Sequence, residues 1–208
     1  MYVIFVIGGP ACGKSSLCKS IIDHYNHNHN GKKQIRHISV GELLKKEIAS
    51  GSENGKLIIN FINQSIIVPA ELTFSLLLKE LEFCRTTRET QETQILLIDG
   101  YPRDKENKDY FDNHKPQFLN VLKVLYIECD KNIMMERSNR RSASNGLNGE
   151  IRFDDSIKII EERIKVFFSV TMNVIQEYND NSADLLLTVD GSKTPDEILH
   201  DVIRDIPF

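Results

Sequence analysis

The chain has 208 residues, a net charge of −4, and 27 % charged against 40 % hydrophobic residues, which suits one well-buried globular core with a small added lobe. That charge excludes the basic field that draws a domain to nucleic acid or anionic lipid, and no apolar run approaches the ~20 residues of a membrane span. Strand-like sequence starts at once, so no cleavable leader is expected, and Cys12, Cys18, Cys84 and Cys129 have no paired spacing. Free thiols in a reducing compartment are therefore expected, which places the protein in the cytoplasm with the nucleus also open.

In chain order, Tyr2–Ile7 is a short apolar run without alternation, as in strands covered on both faces. A glycine-rich turn follows, and Lys14–Tyr25 has a helical pattern. "HYNHNHNGKKQ", His24–Gln34, is polar and of low complexity, and is expected to be a solvated loop, since its histidines lack a rigid metal-ligand spacing. Glu42–Ala49, Gly55–Gln64 and Ala70–Phe83 are expected as helices before a second strand, Ile95–Ile98. A third strand, Val121–Ile127, precedes helices over Asp130–Arg140 and Asp154–Tyr178. Between these lies "SASNGLNGE", Ser142–Glu150, which has the composition of a mobile loop and is flanked by arginines that suit an anionic ligand. A fourth strand, Leu185–Val189, and a helix over Pro195–Ile206, with Pro195 in its first turn, complete the series. Strands alternating with helices imply parallel βαβ crossovers, an α/β fold with a parallel sheet flanked by helices. Such sheets bind ligands at the carboxyl ends of their strands.

Three sets of residues at those ends carry chemistry. Gly8-Gly9-Pro10-Ala11-Cys12-Gly13-Lys14-Ser15 fits GxxxxGK[ST] between a buried strand and a helix, the context this motif needs. Gly9, Pro10, Ala11, Cys12, Gly13, Lys14, Ser15 and Ser16 are thus expected to hold a nucleoside triphosphate, which the resemblance given below implies is ATP, with backbone N–H groups cradling phosphate oxygens. Lys14 would reach the β- and γ-phosphates and the Ser15 hydroxyl would ligate Mg²⁺. The second strand ends in Asp99, an acid placed to hold Mg²⁺ directly or through water; Gly100 admits close backbone approach, and Arg103 projects from a proline-stiffened turn. The third set is Arg137 and Arg141, four apart on one helix face, with Arg152 and Arg163 beyond. Guanidinium forks suit phosphoryl transfer, in which the protein mainly positions groups and neutralises charge on oxygens.

These residues together resemble the nucleoside monophosphate kinase family, which includes adenylate kinases and UMP-CMP kinases. "GGPACGKSS", "HISVGELLKKEIASGSENGKLI", "IIVPAELTFSLL", "LIDGYPRDKEN", "MMERSNRR", "RFDDSIKIIEERI" and "DGSKTPDEI" carry the resemblance. It implies a P-loop NTPase fold whose core is formed by 1–38, 69–140 and 153–208, with a helical monophosphate-binding arm at 39–68 and a short lid at 141–152. It implies that Lys14, Arg103, Arg141, Arg152 and Arg163 serve catalysis by clamping the phosphates of ATP and the acceptor, and that Arg137 stacks on the donor adenine. Ser39, Gly41, Lys45, Val68, Gly100, Arg103 and Asn107 would frame the acceptor monophosphate, with Mg²⁺ at Ser15 and Asp99.

The implied reaction is ATP plus a nucleoside monophosphate giving ADP and the diphosphate, with Mg²⁺ as cofactor. Expected partners are these nucleotides alone, with no nucleic acid and no membrane, and a monomeric chain. Asn107 stands where adenylate kinases carry Gln, and Val40 follows Ser39 where they carry Thr; both point to UMP or CMP, with dCMP open, and AMP remains the alternative acceptor. Lys45 replaces a family Arg, with Lys46 nearby to share its load. Ala11 replaces a family Gly, which is compatible with the loop if Ala11 avoids positive φ. Ser15-Ser16 stands where Gly-Thr is usual. Lys45 and Ala11 also leave open a nucleotide-binding module without catalysis, which would bind ATP and form no diphosphate.

Overall fold

Short runs of Ile, Leu and Val pair side by side in a five-stranded parallel sheet with strand order β2-β3-β1-β4-β5. The computed structural model describes residues 1–28, 34–87, 94–148 and 157–206. Its strands are β1 (Tyr2–Gly8), β2 (Gln34–Ser39), β3 (Gln94–Asp99), β4 (Asn120–Glu128) and β5 (Leu186–Asp190). Helices α1 (Lys14–Asn28), α2 (Val40–Ala49), α3 (Glu53–Asn63) and α4 (Ala70–Thr86) precede the middle of the chain. They are followed by α5 (Lys105–His114), α6 (Lys131–Asn148), α7 (Ile157–Val166), a π-helical turn (Phe167–Thr171), α8 (Met172–Asn181) and α9 (Pro195–Asp205).

Every residue of β3 is buried, as are Val3–Ile7 of β1, because helices cover both faces of the sheet's centre. Each fully buried Ile or Leu stabilises the fold by roughly 1.5–3 kcal/mol relative to exposure. Parallel register then brings three strand ends together: Asp99 lies beside Val6 of β1 and beside Ser39 of β2. The functional cleft lies at this end of the sheet.

Helix entry is set locally. Ser39 ends β2 and caps α2, its Oγ accepting from the Glu42 N–H at 3.4 Å. Ser52 caps α3, accepting from the Gly55 N–H at 2.9 Å, and its hydroxyl donates to Glu47 Oε1 of α2, which ties the two arm helices together. Thr194 and Glu197 form a capping box on α9 around Pro195.

The structure departs from the sequence expectations at four places. The polar segment after Tyr25 continues α1 to Asn28, and Gln34 opens β2, an edge strand; residues 29–33 lie outside the described residues. A further helix, α5, follows Arg103. The stretch from Ser142, expected as a loop, is helical to Asn148, because α6 continues through it; 149–156 lie outside the described residues. The helix expected over Asp154–Tyr178 is divided into α7 and α8 by the π-helical turn, closed by an N–H bond from Met172 to Phe167 O.

Candidate active site

A cleft of about 650 Å³ opens at the carboxyl ends of β1, β2 and β3. The turn after β1 forms its floor. Lys14 Nζ donates to the backbone carbonyls of Gly8 and Gly9 at 2.9 and 2.8 Å and lies 3.7 Å from Cys12 Sγ. The ammonium is thus folded over the loop where a phosphate chain is expected. Pro10, Ala11, Gly13, Ser15 and Ser16 line the same cleft, whereas Gly9 is buried beneath it. A side chain at Gly9 would collide with Met134 Sδ and come within 3.3 Å of Phe167 Cδ1, so it would displace the Met134 side chain packed under the loop. Ala11 adopts φ +54°, so the condition on which the loop would take its methyl without strain is not met. A left-handed backbone costs a non-glycine residue roughly 1–2 kcal/mol, so the phosphate loop carries strain at this residue.

Asp99 forms the second part of the site. Its Oδ2 accepts the Ser15 hydroxyl at 2.6 Å and lies 3.3 Å from His37 Nε2. Burial of Asp99 works against its charge. The His37 hydrogen bond, the charge of Lys14 and the Ser15 hydrogen bond outweigh it and hold the carboxyl below the usual Asp range. An ionised carboxylate only accepts, so His37 Nε2 donates to it.

Gly100 follows with φ +78°, a conformation that favours glycine, and Arg103 Nε donates back to the Gly100 carbonyl at 3.0 Å. The Arg103 guanidinium also lies near Gly41 of the arm, 3.9 Å from where a Gly41 Cβ would stand. Arg137 and Arg141 from α6 and Arg163 from α7 complete a cationic wall. On the opposite side, Ser39, Gly41 and Lys45 line the cleft, and Lys45 Nζ is paired with Glu42 Oε1 at 3.0 Å. Lys46, expected to share the load of Lys45, is exposed and does not line the cleft.

A smaller recess of about 280 Å³ adjoins the phosphate loop, where Cys12, Leu17 and Arg137 face Lys193, Pro195 and Ile198. Arg137 lines both hollows.

Most of the expected site residues therefore converge. Val68 and Asn107 do not line the cleft. The Val68 side chain is buried in the core while its carbonyl accepts from Thr73, and Asn107 is 1 % exposed at the start of α5. The Asn107 carbonyl accepts the Tyr101 hydroxyl at 2.7 Å, and its side-chain Nδ2 has no hydrogen-bond partner among the described residues. Arg152 lies outside the described residues.

His37, Glu42 and Thr171 line the cleft without having been anticipated. His37 stands two residues before Ser39, hence on the same face of β2, a signal hidden while β2 was unrecognised. Thr171 extends the i, i+4, i+8 stripe of Arg163 and Phe167. Among the described residues no cluster of His, Cys, Asp and Glu forms a metal cage, and no helix is long and apolar enough to cross a membrane.

Comparison with known proteins agrees with this geometry. The family model described as adenylate kinase matches residues 6–183. "UMP-CMP kinase 3" of Oryza sativa subsp. japonica is 35 % identical over 203 residues, 96 % of this chain and 83 % of that protein. "UMP-CMP kinase" of Homo sapiens is 32 % identical over 203 residues, 97 % of this chain and 95 % of that protein. "UMP-CMP kinase 3" of Arabidopsis thaliana is 37 % identical over 179 residues, 85 % of this chain and 75 % of that protein. A P-loop fold, a phosphate cradle facing an arginine wall and similarity along nearly the whole length have one reading in common: the chain belongs to the adenylate kinase family of nucleoside monophosphate kinases.

Proposed function

We propose that the protein transfers the γ-phosphoryl group of ATP to UMP or CMP, giving ADP and UDP or CDP. The observation that carries this reading is the convergence of Lys14, the Ser15–Asp99 pair and Arg103, Arg141 and Arg163 on one cleft, opposite an arm bearing Lys45. The names of the relatives and the Asn at position 107 support the pyrimidine acceptor.

The residues present fit a magnesium ion. A hydroxyl and a depressed-pKa carboxylate meet at 2.6 Å beside the phosphate loop, and Mg²⁺ commonly takes one or two carboxylates plus substrate phosphates and water. Ser15 and Asp99 would hold the ion, which when bound neutralises charge on the β- and γ-phosphoryl oxygens. His37 keeps the carboxylate oriented.

In the transfer, an oxygen of the acceptor's phosphate forms a bond to the γ-phosphorus while the bond from that phosphorus to the β–γ bridging oxygen breaks, and ADP leaves with the electron pair. Lys14 follows the β- and γ-phosphates. Arg103 and Lys45 hold the acceptor phosphate, while Arg141 and Arg163, with Arg152, neutralise the equatorial oxygens of the transferred group. Residues 39–68 act as the acceptor arm and 141–152 as a short lid, whose closure excludes the water that would otherwise hydrolyse ATP.

A coupled assay with Mg-ATP and a panel of AMP, UMP, CMP, dCMP and GMP tests this reading. UMP or CMP is expected to have the highest kcat/KM. AMP as the best acceptor would make the protein an adenylate kinase in activity, and ATP binding without diphosphate formation would make it a non-catalytic module.

A further inference from the structure

The π-helical turn between α7 and α8 contacts both halves of the cleft. Its first residue, Phe167, packs under the phosphate loop beside Gly9. Its last, Thr171, is 6 % exposed, lines the cleft and donates its hydroxyl to the backbone carbonyl of Arg103 at 2.7 Å. That carbonyl lies just outside α5, whose ladder begins with the Asp104 carbonyl accepting from the Lys108 N–H. At the other end of the same turn, the Gly100 N–H donates to Val6 O of β1 at 3.0 Å, and Arg103 Nε donates to Gly100 O. The segment 100–104 is thus pinned to the sheet at one end and to the π-helical turn at the other.

We propose that Thr171 is a positioning residue for Arg103, its hydroxyl fixing the carbonyl of the residue whose guanidinium holds the acceptor phosphate. Arg163 lies on α7, the helix that runs directly into this π-helical turn, so one continuous helical rod carries a donor-side arginine and the anchor of an acceptor-side arginine. The wider turn is what the role requires. An inserted residue shifts the helix register locally, and such bulges frequently stand at functional sites because they re-aim a side chain. The proposal rests on the reading of Arg103 as a phosphate clamp, so its test includes Arg103 itself.

The experiment compares Thr171→Val, which keeps the shape and removes the donor, with Thr171→Ser, which keeps the donor. Steady-state kinetics are measured with the best monophosphate, and ATP affinity by competition with a fluorescent ATP analogue. Misplacing a positioned group by about 1 Å costs on the order of 10²-fold, so Thr171→Val should lower kcat about 10- to 100-fold. ATP affinity should stay within about twofold, and Thr171→Ser should return kcat to within about threefold of the parent. In an Arg103→Lys background, Thr171→Val should have little further effect, because the two substitutions act on one contact.

Parent-like kcat in Thr171→Val overturns the proposal, as does equal damage in Thr171→Ser, or full additivity with Arg103→Lys. If Arg103→Lys alone leaves kcat unchanged, the clamp reading itself fails, and the proposal with it. Should Thr171→Val not fold, Thr171→Ala carries the same comparison.

Discussion

The two sides of the cleft are built differently. On the donor side, Lys14 is held by two backbone carbonyls, and Ser15 and His37 both bind one oxygen of Asp99, a residue buried at the end of the sheet's most enclosed strand. Strand register sets these distances. On the acceptor side, Lys45 is tied to Glu42 of the same helix, and the pair is 26 % and 53 % exposed. Such a pair stabilises a helix by only about 0.2–0.5 kcal/mol, so an arriving phosphate can displace it at little cost. Lys14 and Asp99 are thus fixed by the fold, whereas Lys45 is held only by an exposed pair that a ligand can displace; Arg103, anchored through Gly100 and Thr171, is fixed like the former.

The strongest way to break that contrast is at Asp99. Asp99→Asn is expected to lower kcat/KM by about 10²-fold or more, since the carboxylate proposed to hold the magnesium ion is lost. It also tests whether the donor side is pre-assembled. The folded-state pKa of Asp99 is depressed, so its stabilisation is present above the ordinary Asp range and is lost as pH falls through the folded value. Asp99→Asn should therefore reduce Tm at pH 7 more than at pH 3. Two hydrogen bonds to a charged group, less the cost of desolvating it, leave a net effect of order 2 kcal/mol, or about 4–8 °C for a chain of this size. An equal Tm loss at both pH values would show that the carboxylate is not held ionised by its neighbours.

On the acceptor side the expected effect is smaller and of opposite sign. Lys45→Arg supplies a fork that can serve the phosphate and Glu42 together, and should lower KM for the monophosphate about three- to tenfold while KM for ATP stays unchanged. A fall in both constants would mean that the two sides are not separable. The smallest effect lies in the phosphate loop, where Ala11→Gly removes the left-handed strain. About 1 kcal/mol of relief should raise Tm by roughly 2–4 °C, read by thermal unfolding without nucleotide.

What was legible in the sequence followed the same division. The phosphate loop, Asp99 and the buried strands β1, β3 and β4 stand out because buried parallel strands are continuous apolar runs bounded by glycine and acid. β2 escaped notice because it is the edge strand, and "QIRHIS" spends its half-covered positions on Arg36 and His37. α5, "KENKDYFDNH", has too few apolar residues for a helical period; Asn107 and Phe111 are its buried residues. The π-helical turn was invisible because one inserted residue barely alters a long helical pattern, and with it went Thr171. Ala11 was recognised as unusual, but the sign of its φ is a property of the closed loop rather than of the residue.

The recess beside the phosphate loop has walls from distant parts of the chain, Cys12 and Leu17 on one side and Lys193, Pro195 and Ile198 on the other. During synthesis, at about 5–20 residues per second, the loop leaves the ribosome many seconds before α9 does. A nascent chain short of residue 193 holds the phosphate loop but lacks one wall of this recess. The recess is thus completed late in the making of the protein, and a closed recess marks a chain whose last helix has docked.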